Sequence, residues 1–329
     1  MLYDDINLLS TQELLSLPPT KWLLDTLIPE EGFVGLFGQP GDGKSFIALD
    51  WAMCIAAGKP WLGIYPCRQA PVIYVAAEGG RGIQQRVRAW MRHYKYPDLP
   101  AMYYLLSPLY VREEGTVEKF LDHLESIEVW PGLIVLDTLS RSFGGGEENA
   151  SADMGHFVDQ ITKLAAGRRM AALIVHHMNV KGERERGSTA FRGAADAMFG
   201  CRAEKDKENG RILRIELKND KQKDGAEAPS IFLRPIDDTK YSLVMEVTDG
   251  PEPKTRGPRE RGPMRVVDML SCLAVAEDGL TWGEWRLATG ISKGAFNMRI
   301  KKLSNNSEIY KEGGRYHLYP TTKDLADVE

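Results

Sequence analysis

The sequence predicts an α/β protein: a mostly parallel sheet flanked by helices, followed by a small second domain. Three observations carry that prediction. Short β-branched runs alternate with helical patterns from residue 32 to about residue 248. Several runs, such as P-V-I-Y-V-A-A (71–77) and L-I-V-L-D (133–137), are apolar at nearly every position. That is the pattern of strands covered on both faces, as in a parallel sheet under helices. The composition then shifts. D-G-P-E-P-K-T-R-G-P-R-E-R-G-P (249–263) is Pro, Gly and charge, too poor in apolar area to fold alone, and reads as a linker.

The elements follow in order. Residues 1–31 read as an arm, with Thr11 capping a short apolar helix that Pro18 and Pro19 end. Strands are expected at 33–37, 71–77, 103–106, 132–136, 171–177, 196–202, 211–218, 230–234 and 241–247, and helices at 43–57, 80–93, 116–127 and 153–168. The later strands have no long helices between them and read as hairpins at one edge of the sheet. After the linker, residues 264–320 form a compact unit and 321–329 a tail. No repeat at solenoid periods is present.

Composition narrows the class. The chain has 329 residues, 43% hydrophobic and 27% charged, enough for one large domain and a small one. A net charge of -4 argues against a wholly basic nucleic-acid coat but leaves a local basic face open. Cys54, Cys67, Cys201 and Cys272 are far apart and form no C-x-x-C pair, as in a reducing compartment. The acidic N-terminus lacks the basic segment of a signal peptide, and no apolar run is long enough to span a bilayer, so a cytoplasmic protein without a membrane partner is expected.

Four strand ends carry chemistry. G-Q-P-G-D-G-K-S (38–45) fits G-x-x-x-x-G-K-[ST] between a strand and a helix. Its glycines let backbone N–H groups turn onto phosphate, the lysine reaches the β- and γ-phosphates, and the serine offers a hydroxyl to Mg²⁺. The nucleotide-binding set is Gly38, Gln39, Pro40, Gly41, Asp42, Gly43, Lys44, Ser45 and Phe46. The second strand, L-I-V-L-D-T, ends in Asp137, placed to hold the metal; on its own it could equally be a turn-forming Asp. The third, V-I-Y-V-A-A-E-G-G, ends in Glu78, which would orient and deprotonate the attacking water, or stand as a surface acid before a turn. The fourth, A-L-I-V-H-H-M-N, ends in His176 and His177, which alternation puts on opposite sides; His177, nearer the end, is the candidate γ-phosphate sensor. Parallel strands finish at one edge, so these groups should meet there.

These motifs, with L-D-T-L-S-R-S-F-G-G-G-E-E-N-A-S (136–151), H-H-M-N-V-K-G (176–182) and R-G-S-T-A (186–190), resemble the RecA-like core of the RepA-like hexameric replicative helicases of phages, plasmids and mobile elements, over roughly residues 5–235. The resemblance implies a ring-forming ATPase, a hexamer, using ATP and Mg²⁺ between neighbouring subunits. Lys44 and Ser45 would bind phosphate and Mg²⁺, Glu78 would be the base and Asp137 the metal carboxylate. His177 would couple ATP to a nucleic-acid loop. Arg86 falls one residue from a family arginine that lies at the nucleotide. The family's arginine after R-G-S, which enters the next subunit's site, is replaced here by Asp196. Candidates for that trans cation are Arg192, or Lys221 and Lys223, which are spaced like a Lys–Arg pair of DnaB-like helicases; the lysine run also reads as a solvated turn. Lys181, Arg184 and Arg186 are candidate contacts to single-stranded DNA in the pore, on what could also be a plain surface loop.

The C-terminal unit resembles a winged helix, with Ser292 as N-cap of its second helix. Lys293, Asn297, Arg299, Lys301 and Lys302 on that helix, and Arg315 on the wing, would face DNA. Docking a replication partner fits the near-neutral unit equally well. The expected function is a DNA helicase or translocase. A RecA-like loader or remodeller, and an ATP-switched DNA-binding regulator, stand as alternatives.

Overall fold

The computed structural model describes residues 8–78, 80–165, 169–178, 189–223, 225–236, 242–250, 269–276 and 278–319. The elements are α1 (Thr11–Ser16), β1 (Trp22–Leu24), β2 (Ile28–Pro29), β3 (Gly32–Gly38), α2 (Lys44–Ala57), β4 (Val72–Ala76), α3 (Gly80–Tyr94), β5 (Met102–Leu105), α4 (Thr116–Ser126), β6 (Leu133–Asp137), α5 (Leu139–Ser142), α6 (Ser151–Ala165), β7 (Ala171–His177), α7 (Thr189–Ala194), β8 (Ala197–Lys205), β9 (Ile212–Gln222), β10 (Ile231–Ile236) and β11 (Val244–Val247). A C-terminal group follows: α8 (Met269–Ala274), β12 (Leu280–Thr281), α9 (Trp282–Thr289), α10 (Lys293–Asn305), β13 (Ile309–Glu312) and β14 (Arg315–Leu318).

The fold class is the expected one. One nine-stranded sheet runs β11-β10-β9-β8-β3-β7-β6-β4-β5. From β8 to β5 every pairing is parallel, and β8 to β11 are joined antiparallel as an edge of hairpins. The apolar strands bury both faces by simple alternation. Val34, Leu36, Leu133 and Val135 enter a core with Trp51 of α2 and Trp90 of α3. Phe33, Phe37, Ile134 and Leu136 enter the opposite core with Leu124 of α4 and Phe157 of α6. Among the described residues no helix is long and apolar enough to cross a membrane.

Departures from expectation are local. The cap of α1 is Ser10, not Thr11: Ser10 and Glu13 close a reciprocal capping box, and Thr11 is the first helical residue. α6 begins at Ser151 rather than 153, and β9 runs on to Gln222. β1, β2, α5 and α7 are too short to leave a periodic signature. In the C-terminal group, β12-β14-β13 form a small sheet over a core that includes Leu273, Trp285 and Phe296. Ser292 stands at the N-cap of α10, as expected, but makes no side-chain cap bond.

One buried carboxylate ties α2 to its neighbours. Asp50 accepts the indole N–H of Trp61 and of Trp90, each at 2.7 Å. Burial pushes its carboxyl up, against those two bonds. Both rings are almost wholly buried, so Asp50→Leu strands two indole donors. Each unpaired buried donor costs about 1–3 kcal/mol, and a total loss of roughly 2–6 kcal/mol is expected from the midpoint of denaturant unfolding. An unchanged midpoint would refute the assignment.

Candidate active site

The phosphate loop leaves β3 at Gly38 and enters α2 at Lys44, and its path depends on glycine. Gly41 and Gly43 have φ of 79° and 87°, where side chains are strained, and a Cβ on Gly38 would stand 2.3 Å from the Cys201 carbonyl oxygen. Lys44 Nζ lies within the cradle, donating to Gly38 O at 3.0 Å and Gln39 O at 2.9 Å. Burial pushes its pKa down, while Cys201, Asp42, Asp137 and Glu78 favour the charged form.

The rim meets as the parallel registry requires. Ala76 of β4 lies opposite Asp137 of β6, and Gly38 opposite His177 of β7. Asp137 O accepts from the backbone N–H of Ala77 and of Glu78 at 3.0 and 3.3 Å, which fixes where the Glu78 side chain leaves the sheet. Ser45 Oγ donates to Asp137 Oδ1 at 3.1 Å, and Tyr74 OH donates to Oδ2 at 2.7 Å. Burial raises the Asp137 carboxyl above its usual range, against the bonds from Tyr74 and Ser45. The peptide bond from Asp137 to Thr138 is cis. Glu78 Oε1 accepts from Thr138 Oγ1 at 3.1 Å and pairs with Arg141 Nε at 3.4 Å, while its side chain stays 39% exposed, open to an incoming water.

The two imidazoles part as alternation demands. His176 is buried against Phe191, with ring centroids 5.3 Å apart. His177 is half-buried at the rim, and its Nδ1 has no hydrogen-bond partner among the described residues. Burial first, then the Lys44 charge, lowers its pKa, so it is neutral at pH 7 and able to donate or accept one hydrogen bond. Arg86 of α3 stacks on Phe46, 4.6 Å from the ring centroid, close enough to Asp137 to favour its carboxylate.

Oxygen donors at Ser45 and Asp137 suit Mg²⁺, which keeps waters and phosphate oxygens rather than a full protein cage. Among the described residues no group of three or more His, Cys, Asp or Glu assembles as a metal site.

The three trans-cation candidates come together, but far from this rim. Lys221 Nζ donates to Arg192 O and Gly193 O at 2.6 and 3.0 Å, and Lys223 Nζ to Ala194 O and Asp196 Oδ1, both at 2.9 Å. Arg192 Nη2 donates to Asp220 O at 3.1 Å. All three surround the C-terminus of α7. Lys221 pairs with Met198, level with Gly35 midway along β3, and Lys223 N bonds Asp196 O, level with Phe33 near its start, whereas the phosphate loop follows its end. At about 3.3 Å per residue the separation along the strand is roughly 10 Å for Lys221 and roughly 16 Å for Lys223. Asp196 is structural: it accepts Phe33 N at 2.8 Å and pairs with Lys223.

Lys181, Arg184 and Arg186 lie outside the described residues. On α10, Lys293, Arg299, Lys301 and Lys302 are exposed. Asn297 is exposed too, and both it and Arg315, which is half-buried on β14, bond within the unit. Asn297 Oδ1 accepts from Trp282 Nε1 at 2.9 Å, and Arg315 binds the Asp278 and Gly279 carbonyls and Glu284.

Sequence reasoning missed Tyr74, Thr138, Arg141 and Lys205. Tyr74 reads as one more apolar strand residue, and only the registry of β4 against β6 shows that its hydroxyl reaches Asp137. Thr138 and Arg141 lie within the quoted 136–151 motif but carried no assigned role there.

A family model described as an AAA domain matches residues 7–183. Among solved structures, the chain is similar to a KaiC-like protein from the hyperthermophilic archaeon Pyrococcus horikoshii OT3, with 13% sequence identity and a TM-score of 0.44, over 68% of this chain and 93% of that one.

Proposed function

Because this chain belongs to the AAA domain family, a group of P-loop ATPases, we propose that it is an ATP-driven, ring-forming motor that moves along DNA as a helicase or translocase in the replication of a phage, plasmid or mobile element. In this reading Lys44 and the loop N–H groups hold the triphosphate, and Arg86 with Phe46 flanks the nucleotide. Ser45 and Asp137 hold Mg²⁺, which when bound neutralises charge on the β- and γ-phosphates. Tyr74 keeps the Asp137 carboxylate turned to Ser45. Glu78, steadied by Thr138 and Arg141, takes a proton from the attacking water. His177, at the end of β7 and near Lys44, reads the γ-phosphate with its imidazole.

One observation supports the ring: the cluster of Arg192, Lys221 and Lys223 lies down the strands from the rim that carries the phosphate loop, with both ammonium groups turned to α7. Head-to-tail association of copies would turn this cluster of one copy toward the loop of the next, and a head-to-tail contact that closes makes a ring. The arm is compatible with such assembly: Leu8, Leu9, Leu14, Leu15 and Leu17 are all exposed and α1 buries nothing. Pore contacts by Lys181, Arg184 and Arg186, and a winged-helix role for residues 264–320 with Lys293, Arg299, Lys301 and Lys302 toward DNA or a replication partner, belong to the same proposal.

A second reading, a loader or remodeller that hydrolyses ATP without unwinding, is favoured by one fact: both lysines spend their ammonium groups on carbonyls of their own α7. Strand displacement on forked DNA with ATP separates the two, alongside solution mass with a non-hydrolysable analogue. Unwinding, with a mass near six copies, is expected. ATP hydrolysis without unwinding selects the loader, and a monomer at high concentration with analogue overturns the ring.

A further inference from the structure

β8 does not stop where its neighbour does. Cys201 lies opposite Gly38, the last residue of β3, and the strand continues to Lys205, paired with Ile212 of β9. The end of β8 and its partner β9 press on the phosphate loop at several points. Cys201 Sγ donates to Asp42 O at 2.9 Å. A Cβ on Gly43 would stand 2.5 Å from Ile215 Cδ1, and one on Gly41 would stand 3.3 Å from Lys205 Nζ. The Lys205 ammonium therefore lies directly on the loop, 3.4 Å from Asp42 Oδ1.

Asp42 is a costly residue at this place. A phosphate cradle works by presenting N–H groups and positive charge, and a carboxylate only 5% exposed within it opposes both. Its structural use is clear. Asp42 N donates to Gln39 O at 3.1 Å and Asp42 Oδ2 accepts from Gln39 N at 3.1 Å, so the turn over 39–42 is closed reciprocally. The other oxygen faces Lys205. Lys44 also feels the Asp42 charge, and it is the cation the phosphates need.

Resting on nucleotide binding in this loop, we infer that Lys205 is a positioning residue of the site. It neutralises Asp42, so that the turn stays closed without setting a negative charge against the triphosphate and without holding Lys44 back from it.

The test is a double-mutant cycle read by titration with a fluorescent ATP analogue and by the split of KM and kcat. Lys205→Ala should weaken analogue binding by about tenfold and raise KM more than it lowers kcat, as expected for losing a partly exposed ion pair that guards a polyanion site. Lys205→Arg should restore binding to within about twofold, since the charge returns. On an Asp42→Asn background, Lys205→Ala should change binding by less than about twofold, because there is no charge left to neutralise. Wild-type affinity in Lys205→Ala overturns the inference. So does an equal loss in both backgrounds, which would mean direct phosphate contact. A wild-type chain that does not bind the analogue overturns the nucleotide reading itself, before any variant is compared.

Discussion

Glu78→Gln is expected to lower steady-state ATP hydrolysis by about 10²–10⁴-fold while leaving nucleotide affinity within a few-fold of wild type. Its side chain accepts from Thr138 and pairs with Arg141 at the open rim. Glutamine keeps the shape and the Thr138 bond but cannot take a proton from water. Single-turnover hydrolysis and equilibrium binding, measured on the same preparation, separate chemistry from binding. Substantial hydrolysis in the variant would mean that the base is elsewhere. Equal loss of binding and turnover would mean that Glu78 shapes the pocket instead.

The second large effect concerns the lysines at the end of α7. Replacing both Lys221 and Lys223 by Ala is expected to reduce hydrolysis by about 10³-fold, the scale of removing a trans cation from a phosphoryl-transfer site. The decisive measurement mixes this variant with Glu78→Gln. In a head-to-tail assembly, one type of junction joins an intact Glu78 to intact lysines, so random 1:1 mixing should restore roughly a quarter of the wild-type rate from two inactive proteins. No recovery in demonstrably mixed assemblies would sink the shared site. Because Lys221 and Lys223 also cap α7, thermal melts of the double variant distinguish lost chemistry from lost fold.

Much of the site was legible because its parts are local or periodic. The phosphate loop is a contiguous motif, and the apolar runs ending in Glu78, Asp137 and His177 declare strands that finish together. Alternation alone separated His176 from His177, and the structure agrees: one packs on Phe191 and the other faces the rim. The cap of α1 was misassigned because Ser10 and Thr11 are both good caps by type, and only the bond to Glu13 N decides between them.

The sequence by itself determined which residues form the cradle, which acids end its neighbouring strands and that the sheet is buried on both faces, since those properties reside in short-range spacing and side-chain polarity. Only the tertiary structure decided that Tyr74 serves Asp137, that Lys205 lies on Asp42, and that Lys221 and Lys223 turn to the end of α7, down the strands from the phosphate loop. Each of these depends on strand order, registry and the overhang of β8. They bring together residues far apart in the chain, so no local pattern encodes them.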